Sequence, residues 1–291
     1  MKFTKMHGAG NDYIYVNGFE EQIPGPAQLA ELAIKLSDRH FGVGGDGLVL
    51  ILPSEMADFR MQMFNADGSE GRMCGNAIRC VGKYVYDNGM IDVEASATSR
   101  GARNSITIET LSGIKSLDLV VEASEVTAAK VNMGAPEFSV ETMGVDVTVG
   151  GGVASGGAML APRIFKLNCV SMGNPHAVVF LTDDEPITDE LVLGYGPLIQ
   201  QAPLFPQGVN VEFAKVESAG VIRMRVYERG SGETLACGTG ACAVAVAARE
   251  LGMTDASVDV ILLGGVLRID YTGGEVVYMT GPAVKVFEGE I

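Results

Sequence analysis

One separation organises this chain. The segments FNADGSEGRMCGNAIRCVGKYV, from Phe64, and YERGSGETLACGTGACAVAVAA, from Tyr227, align without gaps 163 positions apart (227 − 64). At that offset Phe64 faces Tyr227, Glu70 faces Glu233, Cys74 faces Cys237 and Gly75 faces Gly238. The same offset lays NDYIYV, from Asn11, on NPHAVVF, from Asn174, and GGDGLVL, from Gly44, on QGVNVEF, from Gln207. Three ungapped matches at one offset call for two copies of one structural plan. Each copy has an Asn loop before a strand, a Gly-containing turn before a second strand, and a Cys-Gly helix start.

Both copies read as α+β. SITIET and VIRMRVYE alternate as strands, PAQLAELAIKLSDRH carries an amphipathic helical period, and small or apolar residues continue as helix after each Cys-Gly. The expected architecture is therefore two pseudo-symmetric domains, with residues 1–128 and 281–291 in the first and 129–280 in the second. The Gly-rich stretch at 144–162 has no counterpart in the first copy and reads as a flexible insertion or hairpin loop. The string GVGGDG follows a helix instead of a strand, so it reads as turn chemistry and not as a dinucleotide site.

Charge and length narrow the partners. At 291 residues and 47% hydrophobic, the chain can bury a sizeable core. Its formal charge of −15, without a Lys/Arg cluster, disfavours nucleic acid and anionic membranes and leaves a small molecule as the expected partner. No apolar run approaches the length of a membrane span, and MKFTKMHGAGNDY has no basic leader followed by an apolar stretch, so a cytoplasmic protein is expected. Five cysteines are an odd number, which points to reduced thiols.

Cys74 and Cys237 each stand at the mouth of a helix, where unpaired N–H groups and the positive end of the dipole favour a thiolate. Both thiols are thus expected to ionise below the ordinary range. Two such groups on opposed sides of one carbon suit proton removal from one face and delivery to the other, without a cofactor or metal. Gly75 and Asn76, with Gly238 and Thr239, offer backbone donors for a carboxylate whose α-proton is being removed. The constellation reads as a cofactor-independent racemase or epimerase. A lone cysteine is more often core packing, and Cys80, Cys169 and Cys242 read that way; it is the repeat that separates Cys74 and Cys237 from them. Zinc clips fit neither the C-x5-C nor the C-x4-C spacing.

The segments MHGAGNDYIYV, RHFGVGGDGLVL, FNADGSEGRMCGNAIRC, VSMGNPHAVVF, VNVEF, RVYERGSGETLACGTGACAVAVA and YMTGPAVKVFEG together closely resemble the diaminopimelate epimerase family over nearly the whole chain. That resemblance implies two similar domains, each a mixed, barrel-like sheet around a central helix, with the C-terminal tail returning to the first domain. It implies Cys74 and Cys237 as the two bases, and Gly75, Asn76, Gly238 and Thr239 as holders of the reacting carboxylate. Asn11, Asn65, Asn174, Asn210 and Arg229 would bind the substrate amine and its distal amino-acid end. His176 and Glu228 would sit beside the reacting centre. The sequence departs from some members at Gly47, where they carry Gln. The implied reaction interconverts LL- and meso-diaminopimelate. A racemase of another amino acid on the same fold, and a thiol redox switch formed by Cys74 and Cys237, are the alternatives. Whether the protein works as a homodimer is left open.

Overall fold

The computed structural model describes residues 1–91, 104–138, 145–150, 159–274 and 276–291. Two compact units emerge, one of Met1–Asn132 with Thr280–Ile291, the other of Met133–Met279. The first runs β1 (Lys2–Gly8), β2 (Asn11–Asn17), α1 (Pro26–Ser37), β3 (Gly47–Leu52), β4 (Phe59–Asn65), β5 (Glu70–Gly71), α2 (Gly75–Asp87), β6 (Ser105–Thr110), β7 (Gly113–Glu122) and β8 (Glu125–Gly134). The second continues with β9 (Glu137–Phe138), β10 (Val145–Val149), β11 (Arg163–Ser171), β12 (Pro175–Phe180), a π-helical turn at Glu190–Tyr195 running into α3 (Gly196–Gln200), β13 (Asn210–Ser218), β14 (Val221–Glu228), β15 (Gly232–Glu233), α4 (Gly238–Glu250), β16 (Ser257–Leu262), β17 (Gly265–Asp270) and β18 (Val277–Pro282). The last strand, β19 (Val284–Glu290), pairs antiparallel with β1 in the first unit.

The repeat holds strand for strand. In the first unit β1 and β2 are antiparallel, β2 and β3 parallel, β3 and β4 antiparallel, and β4 and β6 parallel. In the second, β11 and β12 are antiparallel, β12 and β13 parallel, β13 and β14 antiparallel, and β14 and β16 parallel. The register itself repeats: Tyr13 lies opposite Gly47, and His176, 163 positions on, lies opposite Asn210. The fold is α+β with mixed sheets in two repeated domains.

Within each unit the sheet wraps one helix. α2 packs on β1, β2, β7 and β19, and α4 on β11, β12, β13, β14, β16 and β17. Such enclosure explains the composition of α4, in which Gly240 through Ala248 are all buried. A helix covered on every side has no polar face, and its alanines and valines let strands approach from all directions. The second layer of the first unit is α1, whose Leu29, Ala33 and Leu36 pack with Ile14, Val16, Leu48, Leu50 and Phe64. Pro26 opens α1 at a position where its missing N–H costs nothing.

Of the Gly-rich stretch at 144–162, β10 forms an antiparallel pair with β11, with Val145 opposite Leu167 and Val149 opposite Arg163. Residues 144 and 151–158, where the flexible part of that insertion was expected, lie outside the described residues. Among the described residues no helix is long and apolar enough to cross a membrane.

Candidate active site

Each conserved-offset cysteine is a helix N-cap in extended conformation. Cys74 has φ −129° and ψ 121°, and the Ala77 N–H donates to its Sγ at 3.5 Å. Cys237 has φ −113° and ψ 108°, and the Gly240 N–H donates to its Sγ at 3.4 Å. The thiols therefore take the place that Ser or Asp oxygens take at ordinary helix starts. The amides of Gly75, Asn76, Gly238 and Thr239 belong to the two first turns and have no acceptor inside their own helices.

In the first unit the loop between β1 and β2 brings Asn11 to Cys74. The Cys74 S–H donates to Asn11 Oδ1 at 3.4 Å, and Asn76 Nδ2 donates to the same oxygen at 3.3 Å. Asn65, at the end of β4, donates from Nδ2 to Ser69 Oγ at 3.0 Å. It pairs across the sheet with Gly47. A Cβ at Gly47 would lie 2.0 Å from the Phe64 carbonyl oxygen. The close approach of β3 to β4 is what glycine answers at this position; any side chain here requires the strands to shift apart.

The second unit gathers more. Asn174 Nδ2 donates to Thr239 Oγ1 at 3.3 Å, and that oxygen lies 3.5 Å from Cys237 Sγ. His176 Nε2 is 3.1 Å from Asn174 Oδ1, while His176 Nδ1 is 2.6 Å from Glu212 Oε1. Both members of the His176–Glu212 pair have wholly buried side chains, and Glu212 Oε2 has no hydrogen-bond partner among the described residues. Glu228 accepts from the Thr234 hydroxyl and lies close enough to Cys237 for the charge of its carboxylate to act on the thiol. Asn210 Nδ2 donates to the Pro175 carbonyl at 3.0 Å and its Oδ1 accepts from the Arg229 N–H at 2.8 Å. The Arg229 guanidinium reaches the Gln207 carbonyl at 3.2 Å. Glu212 was not among the residues singled out from sequence; its only sign was an acid inside NVEFA, a strand otherwise built for burial.

The expectation that both thiols ionise below the ordinary range fails at Cys237. Burial, and then the Glu228 and Glu212 carboxylates, push this thiol well above its ordinary value of 9.0, against smaller opposing effects of the Thr239 and Gly240 hydrogen bonds. Helix-end partial charges are weak beside desolvation and two neighbouring carboxylates. Burial also raises Glu228, with Thr234 and Cys237 pulling the other way. Because the folded thiol ionises above the unfolded one, its protonated form stabilises the fold below about pH 9, and that contribution is lost as the pH rises from there towards the folded value. Alkaline unfolding of wild type and Cys237→Ala checks this: the wild type should lose stability more steeply above pH 9, and parallel curves would refute it.

A family model described as diaminopimelate epimerase matches residues 3–139 and 168–286. A diaminopimelate epimerase from Acetivibrio thermocellus is 51% identical over 294 residues, spanning 100% of this chain and 98% of the relative. One from Methanococcus maripaludis is 48% identical over 292 residues, spanning 100% and 99%. Among solved structures, a probable proline racemase from Agrobacterium radiobacter K84 matches with TM-score 0.69 at 17% identity, over 100% of this chain and 92% of that one. A hydroxyproline epimerase from Agrobacterium vitis matches with TM-score 0.68 at 17% identity, over 100% and 90%. At that identity the two structures speak to the fold alone.

Proposed function

The chain belongs to the diaminopimelate epimerase family, and from that premise we propose that it interconverts LL- and meso-diaminopimelate by a two-thiol proton transfer. The observation that carries the mechanism is the repeated N-cap cysteine, each sulfur accepting an amide hydrogen at the head of an equivalent helix. On this reading one sulfur takes the α-proton as thiolate while the other, as thiol, delivers a proton to the opposite face. The roles exchange with the direction of the reaction, so each sulfur is thiol in one half of the cycle and thiolate in the other. The first-turn amides of Gly75 and Asn76, with Gly238 and Thr239, would hold the carboxylate as charge builds on it, where preoriented donors contribute most.

Asn11, Asn65, Asn174, Asn210 and Arg229 are the proposed binding set for the amine and the distal end. Arg229 is the fitting partner for a second carboxylate, which a guanidinium grips in a fixed fork. Glu228, whose carboxylate acts on Cys237 through its charge, would tune the thiol, and His176 would hold Asn174 against Thr239. No step in this chemistry calls for a bound cofactor. The reading places the enzyme in amino-acid biosynthesis towards lysine, in the cytoplasm; whether it acts as a homodimer is a matter for sedimentation.

Purified, reduced protein should convert LL-diaminopimelate to the meso isomer without additives and leave proline and hydroxyproline untouched. Turnover of a monocarboxylate amino acid in place of diaminopimelate would overturn the substrate assignment.

A further inference from the structure

Under the start of α2 lies a chain of side chains whose hydrogen bonds all point one way. Arg79, with no exposed surface, donates from Nη2 to Asn76 Oδ1 at 2.9 Å, from Nη1 to the Gly75 carbonyl at 2.9 Å and from Nε to the Pro282 carbonyl at 3.2 Å. Gly8 leaves the room: a Cβ there would come within 2.9 Å of Nη2. With its oxygen taken by a cation, Asn76 turns its Nδ2 to Asn11 Oδ1 at 3.3 Å. Asn11 in turn sends Nδ2 to Asp46 Oδ2 at 2.6 Å, an oxygen that also accepts the Asp12 N–H at 3.0 Å. The other Asp46 oxygen accepts from Arg39 at 2.9 Å, and Arg39 bridges to Asp12 at 2.6 Å.

Amide groups in proteins can usually be turned over with little change in shape. These two cannot, because the chain begins on a guanidinium, which only donates, and ends on a carboxylate, which accepts. Flipping Asn11 would set its N–H groups against Asn76 Nδ2 and its oxygen against Asp46. The fixed orientation leaves Asn11 Oδ1 facing Cys74 Sγ at 3.4 Å. The repeat makes the arrangement one-sided. At the same offset Arg79 becomes Cys242 and Asp46 becomes Val209, both buried and apolar, and Asn174 points its nitrogen at Thr239 instead.

We propose that Arg79 and Asp46 are positioning residues that fix the polarity of the Asn76–Asn11 amide pair, so that the Cys74 S–H always meets a carbonyl oxygen. The consequence for turnover rests on the epimerase reading: a thiol aimed by a fixed acceptor returns to one geometry after every proton transfer, and misplacement at this scale costs rate more than binding. Asp46 and Arg79 are proposed to act through the two asparagines, to which they are bonded.

The test uses the full-length protein and two readouts. The S–H stretching band that disappears in Cys74→Ser identifies this thiol in the infrared, and in wild type it should sit at a hydrogen-bonded frequency. Asp46→Ala removes the terminal acceptor from a half-buried position, so the fold should survive, Asn11 should rotate, and the band should move to the free-thiol position or vanish as the sulfur becomes an acceptor. Arg79→Lys keeps the charge but cannot span three oxygens, and should move the band in the same direction. In both variants kcat should fall on the order of tenfold or more while KM changes by less than about threefold. An unmoved band in Asp46→Ala overturns the positioning claim, and a moved band with unchanged kcat overturns its consequence for turnover. If wild type fails to epimerise diaminopimelate, the functional reading falls, and the band still decides the positioning claim by itself.

Discussion

Cys74→Ala and Cys237→Ala should each lose epimerisation by about 100- to 10,000-fold in kcat, the range in which a positioned acid or base contributes. The two effects should not add. Removing either thiol stops the same two-proton event, so the double variant should be little worse than the poorer single one, as happens when residues act as a unit. Fold should be retained, because alanine continues each helix and loses only the sulfur that caps Ala77 or Gly240. The informative contrast is exchange without inversion. A variant lacking one thiol keeps the other, so it can still lift and replace a proton on one face, and solvent hydrogen should wash into one isomer of diaminopimelate without conversion to the other. Full epimerisation by either alanine variant contradicts the account.

The largest expected stability loss comes from His176. Its Nδ1 lies 2.6 Å from Glu212 Oε1, both side chains are wholly buried, and the second Glu212 oxygen is already without a partner among the described residues. His176→Leu therefore strands a carboxylate in the interior of β13 and should cost about 3–5 kcal/mol, the range for breaking a buried pair from one side. Replacing both members, as in His176→Leu with Glu212→Met, removes the stranded group as well and should recover much of the loss. Denaturant midpoints of the wild type and the two variants decide it. An unchanged midpoint in His176→Leu would mean that Glu212 finds another partner or gives up its charge at little cost. The pair is thus better explained by what it orients, Asn174 against Thr239, than by net stability.

Much of the fold is legible in the chain because the repeat repeats backbone, not only residues. Cys74 and Cys237, Asn11 and Asn174, and the opposed pairs Tyr13–Gly47 and His176–Asn210 keep one offset, so finding one half finds the other. Glu212 escaped because β13 is buried from Asn210 to Ala214 and shows no alternation to mark an inward acid. Arg79 escaped for a related reason: a charged residue on a helix ordinarily belongs to the wet face, and only the enclosure of α2 by strands from both ends of its unit makes it interior. The ionisation of Cys237 was misjudged because the helix start is local in sequence, whereas Glu212 stands 25 residues upstream (237 − 212) and acts through the folded strand. The departure at Gly47 carries a packing reason that the sequence alone does not show, the Phe64 carbonyl across the sheet.

The central claim, inversion at carbon by two thiols of one protein, is tested most directly by turnover in D2O. Reduced wild-type protein is incubated with unlabelled LL-diaminopimelate and sampled at early conversion. The account predicts meso product carrying solvent deuterium at the inverted carbon, with remaining LL substrate still largely protiated, because the base that lifts the proton and the acid that delivers one are different groups. Product that retains its original hydrogen at the inverted carbon would mean that a single group carries the proton across, and would contradict it.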